Sequence, residues 1–129
     1  MTRDDVLELC AGFPGSVEDY PFGDGVAVFK VGARMFALVS LEGDRGSVNL
    51  KCDPGLALEL RARYPAVRPG YHQDKRHWNT VDLDGSVDED ELRDMIDHSY
   101  ELVVAGLTRV QRARLAGGGG DGPGGRSRP

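Results

Sequence analysis

The chain has 129 residues and a formal net charge of −5, too short for two independent cores and, by its sum of charge, a poor general binder of polyanions. No apolar run approaches the ~18 residues of a membrane span. Cys10 and Cys52 form no CxxC or Cys/His spacing, so a cytoplasmic protein with reduced thiols, and no membrane partner, is expected.

The acidic start "MTRDDVLELC" reads as a helix and not as a signal peptide. Thr2 is its expected N-cap, with Asp5 three positions on as in a capping box. Val6, Leu7, Leu9 and Cys10 give an apolar stripe, and "GFPG" at 12–15 ends it. The period then changes. "VEDYPF", "VAVFKV" and "RMFALVSL" are rich in β-branched and aromatic residues and read as strands. "GDG" at 23–25 and Gly32-Ala33 are the expected hairpin turns between them. "SVNLKC" at 47–52 is a fourth strand.

Asp53-Pro54 restarts a helix, an acid that can cap followed by proline at the first helical position, where a missing N–H costs nothing. Leu56, Leu58, Leu60 and Tyr64 are its expected buried side, and Pro65 its stop. Residues 65–77 have no usable period. "WNTVDL" follows as a strand, and "DGS" leads into a last helix. There Leu92, Met95, Ile96, Ser99, Leu102, Val103, Gly106, Leu107 and Val110 fall on one face. Its acids cluster early and its bases, Arg109, Arg112 and Arg114, late, as the helix dipole favours. His98 beside this stripe reads as structural. The expected order is α-β-β-β-β-α-β-α: an α+β domain over residues 1–116, with a twisted, mostly antiparallel sheet and helices on one face. The glycine- and proline-rich stretch 117–129 reads as a disordered tail, since it carries nothing to bury against the entropy of ordering.

Charge is uneven along the chain. Residues 81–101 carry nine acids against Arg93, whereas residues 51–80 carry six bases (Lys51, Arg61, Arg63, Arg68, Lys75, Arg76) against Asp53, Glu59 and Asp74. Within that basic island lies "GYHQDKRHWNTV", residues 70–81, with two of the three histidines and the only tryptophan. His72, Asp74 and His77 are metal-ligand types, but their spacing fits no zinc motif and no cysteine assists. No nucleophile elbow, phosphate loop or HExxH is present, and "DEDE" at 88–91 sits where helix starts favour acids, so neither an enzyme nor a resident cofactor or metal is expected. Alternation puts Asn79, Val81 and Leu83 on the core side of the strand and Trp78, Thr80 and Asp82 on the other. Trp78 would then be free to stack, with Arg76 and Asn79 beside it and Lys51 within reach. Two readings stay open, a binding surface of cations and rings and ordinary packing of a loop.

The segments "FPGSVEDYPFG", "VFKVGARMFAL", "VNLKCDPGLALELRARYPAVRPGYHQDKRHWNTV" and "LRDMIDHSYELV" resemble the MmcQ/YjbR family of small bacterial proteins over about residues 2–110. The resemblance implies a compact fold of the double-wing, frataxin-like kind and binding to double-stranded DNA. Together with the basic-island reading it places the nucleic-acid contact at Lys51, Arg68, Tyr71, His72, Lys75, Arg76, His77, Trp78 and Asn79. If Lys51, Arg68, Lys75 and Arg76 each neutralise one phosphate, the log–log salt slope is about −3.6 and affinity falls by ~10² between 50 and 200 mM salt. Weak, salt-sensitive binding with little sequence preference is expected. The alternative is a non-catalytic module that takes a small planar ligand or a protein partner on the Tyr71, His72 and Trp78 surface.

Overall fold

A computed structural model describes residues 1–118. Of the stretch read as a disordered tail, residues 119–129 lie outside the described residues. The chain runs α1 (Arg3–Ala11), β1 (Val17–Asp19), β2 (Val26–Val31), β3 (Arg34–Ser40), β4 (Ser47–Lys51), α2 (Pro54–Arg63), β5 (Val67–Pro69), β6 (Trp78–Asp82), α3 (Glu89–Ala105) and α4 (Arg109–Gly118). The six strands form one antiparallel open sheet in the order β1-β2-β3-β4-β6-β5. All four helices pack against one face of it, as an α+β fold requires.

Local chemistry explains most of these boundaries. Thr2 caps α1 through the reciprocal pair expected from sequence: its hydroxyl accepts from the Asp5 N–H, and its own N–H donates to the Asp5 carboxylate. Gly32 and Ala33 both have left-handed φ (57° and 66°), as a two-residue turn between β2 and β3 demands. In β3, Phe29 pairs with Ala37 and Lys30 with Met35, which leaves Phe36 as an extra, bulged residue. The bulge turns both Phe36 and Ala37 toward the helices, where Phe36 packs edge-on against Phe13 and Tyr100. Ser99 of α3 repairs the ladder beside the bulge. Its buried hydroxyl accepts from the Lys51 N–H (2.8 Å) and donates to the Phe36 carbonyl (2.6 Å).

The helix-side core joins Val6 and Cys10 of α1, Ala57 and Leu60 of α2, and Ile96 and Val103 of α3 to Phe29, Val39, Val48, Leu50 and Val81 of the sheet. Each such fully buried aliphatic or aromatic side chain contributes about 1.5–3 kcal/mol from leaving water.

Several expectations from sequence need correction. The strand predicted over "VEDYPF" reaches only Val17–Asp19, because Pro21 cannot donate to a ladder. Asp53 stands at the N-cap of α2 but its side chain makes no cap bond; its N–H donates instead to His98 Nε2 (3.3 Å). Leu58 is 63% exposed, and Ala57 and Leu60, three apart, are the residues of α2 buried against the sheet. β5 forms where no period was visible, since three residues are too few to show alternation and Pro69 is tolerated only on an edge strand.

The single last helix is two helices. Gly106 caps α3, and Thr108 opens α4 with a second reciprocal cap to Gln111. Arg112 therefore does not lie in the last turn of α3 but reaches back from α4 to the Ala105 and Leu107 carbonyls (3.2 and 2.6 Å). It still serves the negative end of the α3 dipole.

Candidate binding groove on the open sheet face

Among the described residues no helix covers the second face of the sheet, yet its centre is apolar. Val28, Leu38 and Trp78 form a second buried cluster, with Val26 and Met35 packed on it. Trp78 lies on the face expected from alternation, but it is only 8% exposed and so is not free to stack on a partner's base. Val28 (0%) and Leu38 (7%) are buried in the same cluster.

One row of side chains crosses this face. Cross-strand pairs run Val28–Leu38, Leu38–Asn49, Asn49–Thr80 and Thr80–Arg68, so the row passes from apolar in β2 and β3 to polar in β4, β6 and β5. Asn49 and Thr80 hold the loop that follows β5. The Thr80 hydroxyl accepts from the Tyr71 N–H (2.9 Å) and donates to the Asn49 carbonyl oxygen; the Asn49 amide donates to the Tyr71 carbonyl (3.0 Å). Both backbone polar groups of Tyr71 are thus fixed, while its ring stays 63% exposed. His72 follows with φ of 60°, a left-handed conformation uncommon outside glycine, and its ring lies 3.9 Å from that of Tyr71.

A groove of about 660 Å³ results, with Val26 and Leu38 on its floor, Phe22 (62% exposed) from the β1–β2 loop, and Tyr71, His72 and Gln73 from the β5–β6 loop. Ser40, Ser47, Asn49 and Thr80 supply polar groups, and Arg68 and Glu42 the charges.

The basic island of the sequence is divided among several tasks. Arg68 makes a two-pronged ion pair with Asp82 (Nε to Oδ2 3.0 Å, Nη2 to Oδ1 2.7 Å), which raises the guanidinium above its already high ordinary pKa. Lys75 Nζ donates to the Gly70 carbonyl (3.2 Å). Arg61, which faces the core side of α2, donates to Asn79 Oδ1 (2.7 Å), to the Trp78 carbonyl (3.3 Å) and to the Lys75 carbonyl. Asn79 is buried under α2, its amide also donating to the Ala57 carbonyl (3.4 Å), so it presents nothing to the open face. His77 is tied into the loop by its backbone, donating to the Asp74 carbonyl and accepting from Cys52. Arg76 is exposed with no side-chain bond among the described residues, and Lys51 stands opposite Trp78 on the open face. Of the nine residues singled out from sequence, Arg68, Tyr71 and His72 meet at the groove; Lys51, Lys75, Arg76 and His77 lie outside its lining; Trp78 and Asn79 are internal.

The groove lies within a stretch shared with other proteins: residues 11–102 match the family model described as YjbR. The chain belongs to the YjbR family. It is 39% identical over 112 residues to the uncharacterised YbdF of Escherichia coli O157:H7, covering 87% of this chain and 84% of that one. It is 35% identical over 115 residues to the uncharacterised YjbR of E. coli K12, covering 89% and 98%. The crystal structure of DR2400 from Deinococcus radiodurans superposes with a TM-score of 0.83 at 39% identity, over 94% of this chain and 96% of that one. A Pseudomonas syringae protein superposes with a TM-score of 0.68 at 28% identity, over 79% and 98%. In this YjbR-family chain the matched stretch holds the whole sheet and groove, whereas α4 follows it.

Four contributors, Phe22, Glu42, Asn49 and Thr80, were not singled out as site residues in the sequence. Only Phe22 carried a signal, a large ring beside a turn in "YPFGDG". The clamp of Asn49 and Thr80 depends on register between strands about 30 residues apart.

A smaller cavity of about 170 Å³ lies under α2 and α3, lined by Leu56, Leu60, Met95, Cys52 and His98 among others. Burial pushes the Cys52 thiol up to about 11, so it stays protonated and is no ready nucleophile. Among the described residues no three His, Cys, Asp or Glu side chains converge as metal ligands, and no helix is long and apolar enough to cross a membrane.

Proposed function

We propose that this chain is a non-catalytic binding protein whose site is the groove on the open sheet face, and that the groove takes a small planar ligand. The clamp on Tyr71 carries this reading: two hydrogen bonds hold the backbone of a residue whose ring remains largely in water at the mouth of an apolar-floored groove, and a third ties the Thr80 and Asn49 side chains that make them. Holding an exposed ring in place lowers the entropic cost of binding against it. The volume suits the range of small-molecule sites, about 300–1,000 Å³, in which apolar walls are combined with a few polar groups. A set of planar aromatic fragments at millimolar concentration should move the amide resonances of residues 22–26, 38–42 and 71–73. Tyr71→Ala should remove those shifts while leaving the fold intact. Shifts confined to other parts of the molecule, or none, would refute it.

Duplex DNA is the second reading, supported by the exposed Arg76, by Lys75 beside it in the chain and by Lys51 opposite Trp78. Arg68 is already neutralised by Asp82, so about three phosphates could be matched, giving a salt slope of about −2.7 and a loss of about 40-fold between 50 and 200 mM salt. Anisotropy of a labelled duplex tests this. Binding abolished in Lys75→Ala/Arg76→Ala and following that slope would favour DNA over the groove.

A further inference from the structure

We infer that the groove ligand is a small organic cation with a flat apolar body, its charge set against Glu42. This deepens the groove reading above and rests on it. The inventory of charge is short. Arg68 lines the groove but is bound through both arms of its fork to Asp82, so the pair contributes no net charge. Glu42 also lines it, and among the described residues no basic side chain is ion-paired with its carboxylate. Arg3 donates to the carbonyls of Ser40, Glu42 and Gly43 (3.4, 3.2 and 3.2 Å) and makes no ion pair with the Glu42 carboxylate.

The carboxylate is also placed. Glu42 Oε2 lies 2.9 Å from where a side chain at Gly25 would begin, so it rests over the turn that leads into Val26, on the groove floor. The exposed rings of Phe22 and Tyr71 complete the lining, and aromatic faces attract cations, more so where water is partly excluded. A carboxylate without an ion-pair partner, set beside aromatic faces, is the chemistry of organic-cation recognition.

The test is an NMR titration of the full chain at low ionic strength with three probes: phenyltrimethylammonium, neutral benzyl alcohol and benzenesulfonate. The cation should bind about tenfold more tightly than the sulfonate. Glu42→Gln should weaken the cation about fivefold and leave benzyl alcohol unchanged. Phe22→Leu should weaken the cation more than the neutral probe. If all three probes bind the groove alike and Glu42→Gln changes none of them, the groove reading stands and the cation inference falls. If none binds at the groove, both fall.

Discussion

Gly70 is the point at which the β5–β6 edge is most sensitive to a single atom. A Cβ there would meet Trp78 Cβ at 2.6 Å and the Trp78 carbonyl oxygen and carbon at 2.9 and 3.0 Å. Two of those three are backbone, so no rotamer change relieves the clash. Ordinary contact begins near 3.4 Å, so the strands must part by roughly 0.5–1 Å at this rung. Overpacking of that kind costs about 1–3 kcal/mol. It also stretches the Gly70 N–H bond to the Trp78 carbonyl, now 2.8 Å, which contributes a further ~0.5–1.5 kcal/mol. Gly70→Ala should therefore lose about 2–4 kcal/mol in guanidinium denaturation, and the emission of Trp78, the only tryptophan, should shift red as its ring gains water. Gly55→Ala is the control: nothing lies within 4 Å of its would-be Cβ, and alanine in a helix should add about 0.5–1 kcal/mol. A Gly70→Ala protein within 0.5 kcal/mol of the parent, with unchanged emission, would refute this account of the loop.

Other perturbations probe other parts of the structure. Ser99→Ala leaves the Lys51 N–H and the Phe36 carbonyl without their buried partner, and should cost about 2–4 kcal/mol by chemical denaturation. Ala33→Asn suits the left-handed turn between β2 and β3 better than alanine does and should raise stability by about 0.5–1 kcal/mol. Burial raises both thiols from 9.0, Cys10 to about 12 and Cys52 to about 11. Raised folded pKa values mean full stability below the unfolded value; stability should fall as pH rises from about 9 through 11 and 12, as denaturation midpoints across that range would show. Both thiols should also react slowly with a thiol reagent at pH 8 until the chain is unfolded.

The elements that were legible in sequence are those set by neighbours in the chain. The Thr2 and Asp5 cap, the Gly32-Ala33 turn and the apolar face of α3 depend on residues one to four apart, and each is where it was expected. The split of the last helix had a signal of the same kind, Thr108 with Gln111, masked by the continuing stripe through Leu107 and Val110. The burial of Trp78 was legible only indirectly. "VAVF" and "MFALV" are continuous apolar runs, as a strand covered on both faces shows, and they meant that the helix-free face had a core of its own. β5 and the clamp on Tyr71 had no local signature, because each arises from register across the sheet.

The basic island shows why charge counted along a chain is not a surface potential. Arg61 lies on the core side and ties the 70–78 loop to α2; Arg68 is cancelled by Asp82; Lys75 closes its own loop. Among the described residues Lys51 and Arg76 lie outside the groove lining, while Glu42 within it has no ion-pair partner. Interactions between exposed charges fade over ~8–10 Å, so neighbours in the groove outweigh the sum over 30 residues of sequence. The residues that suggested a polyanion partner in one dimension are divided, in three, between ties within the fold (Arg61, Arg63, Arg68 and Lys75) and cations outside the groove (Lys51 and Arg76), and only Arg68 among them lines it.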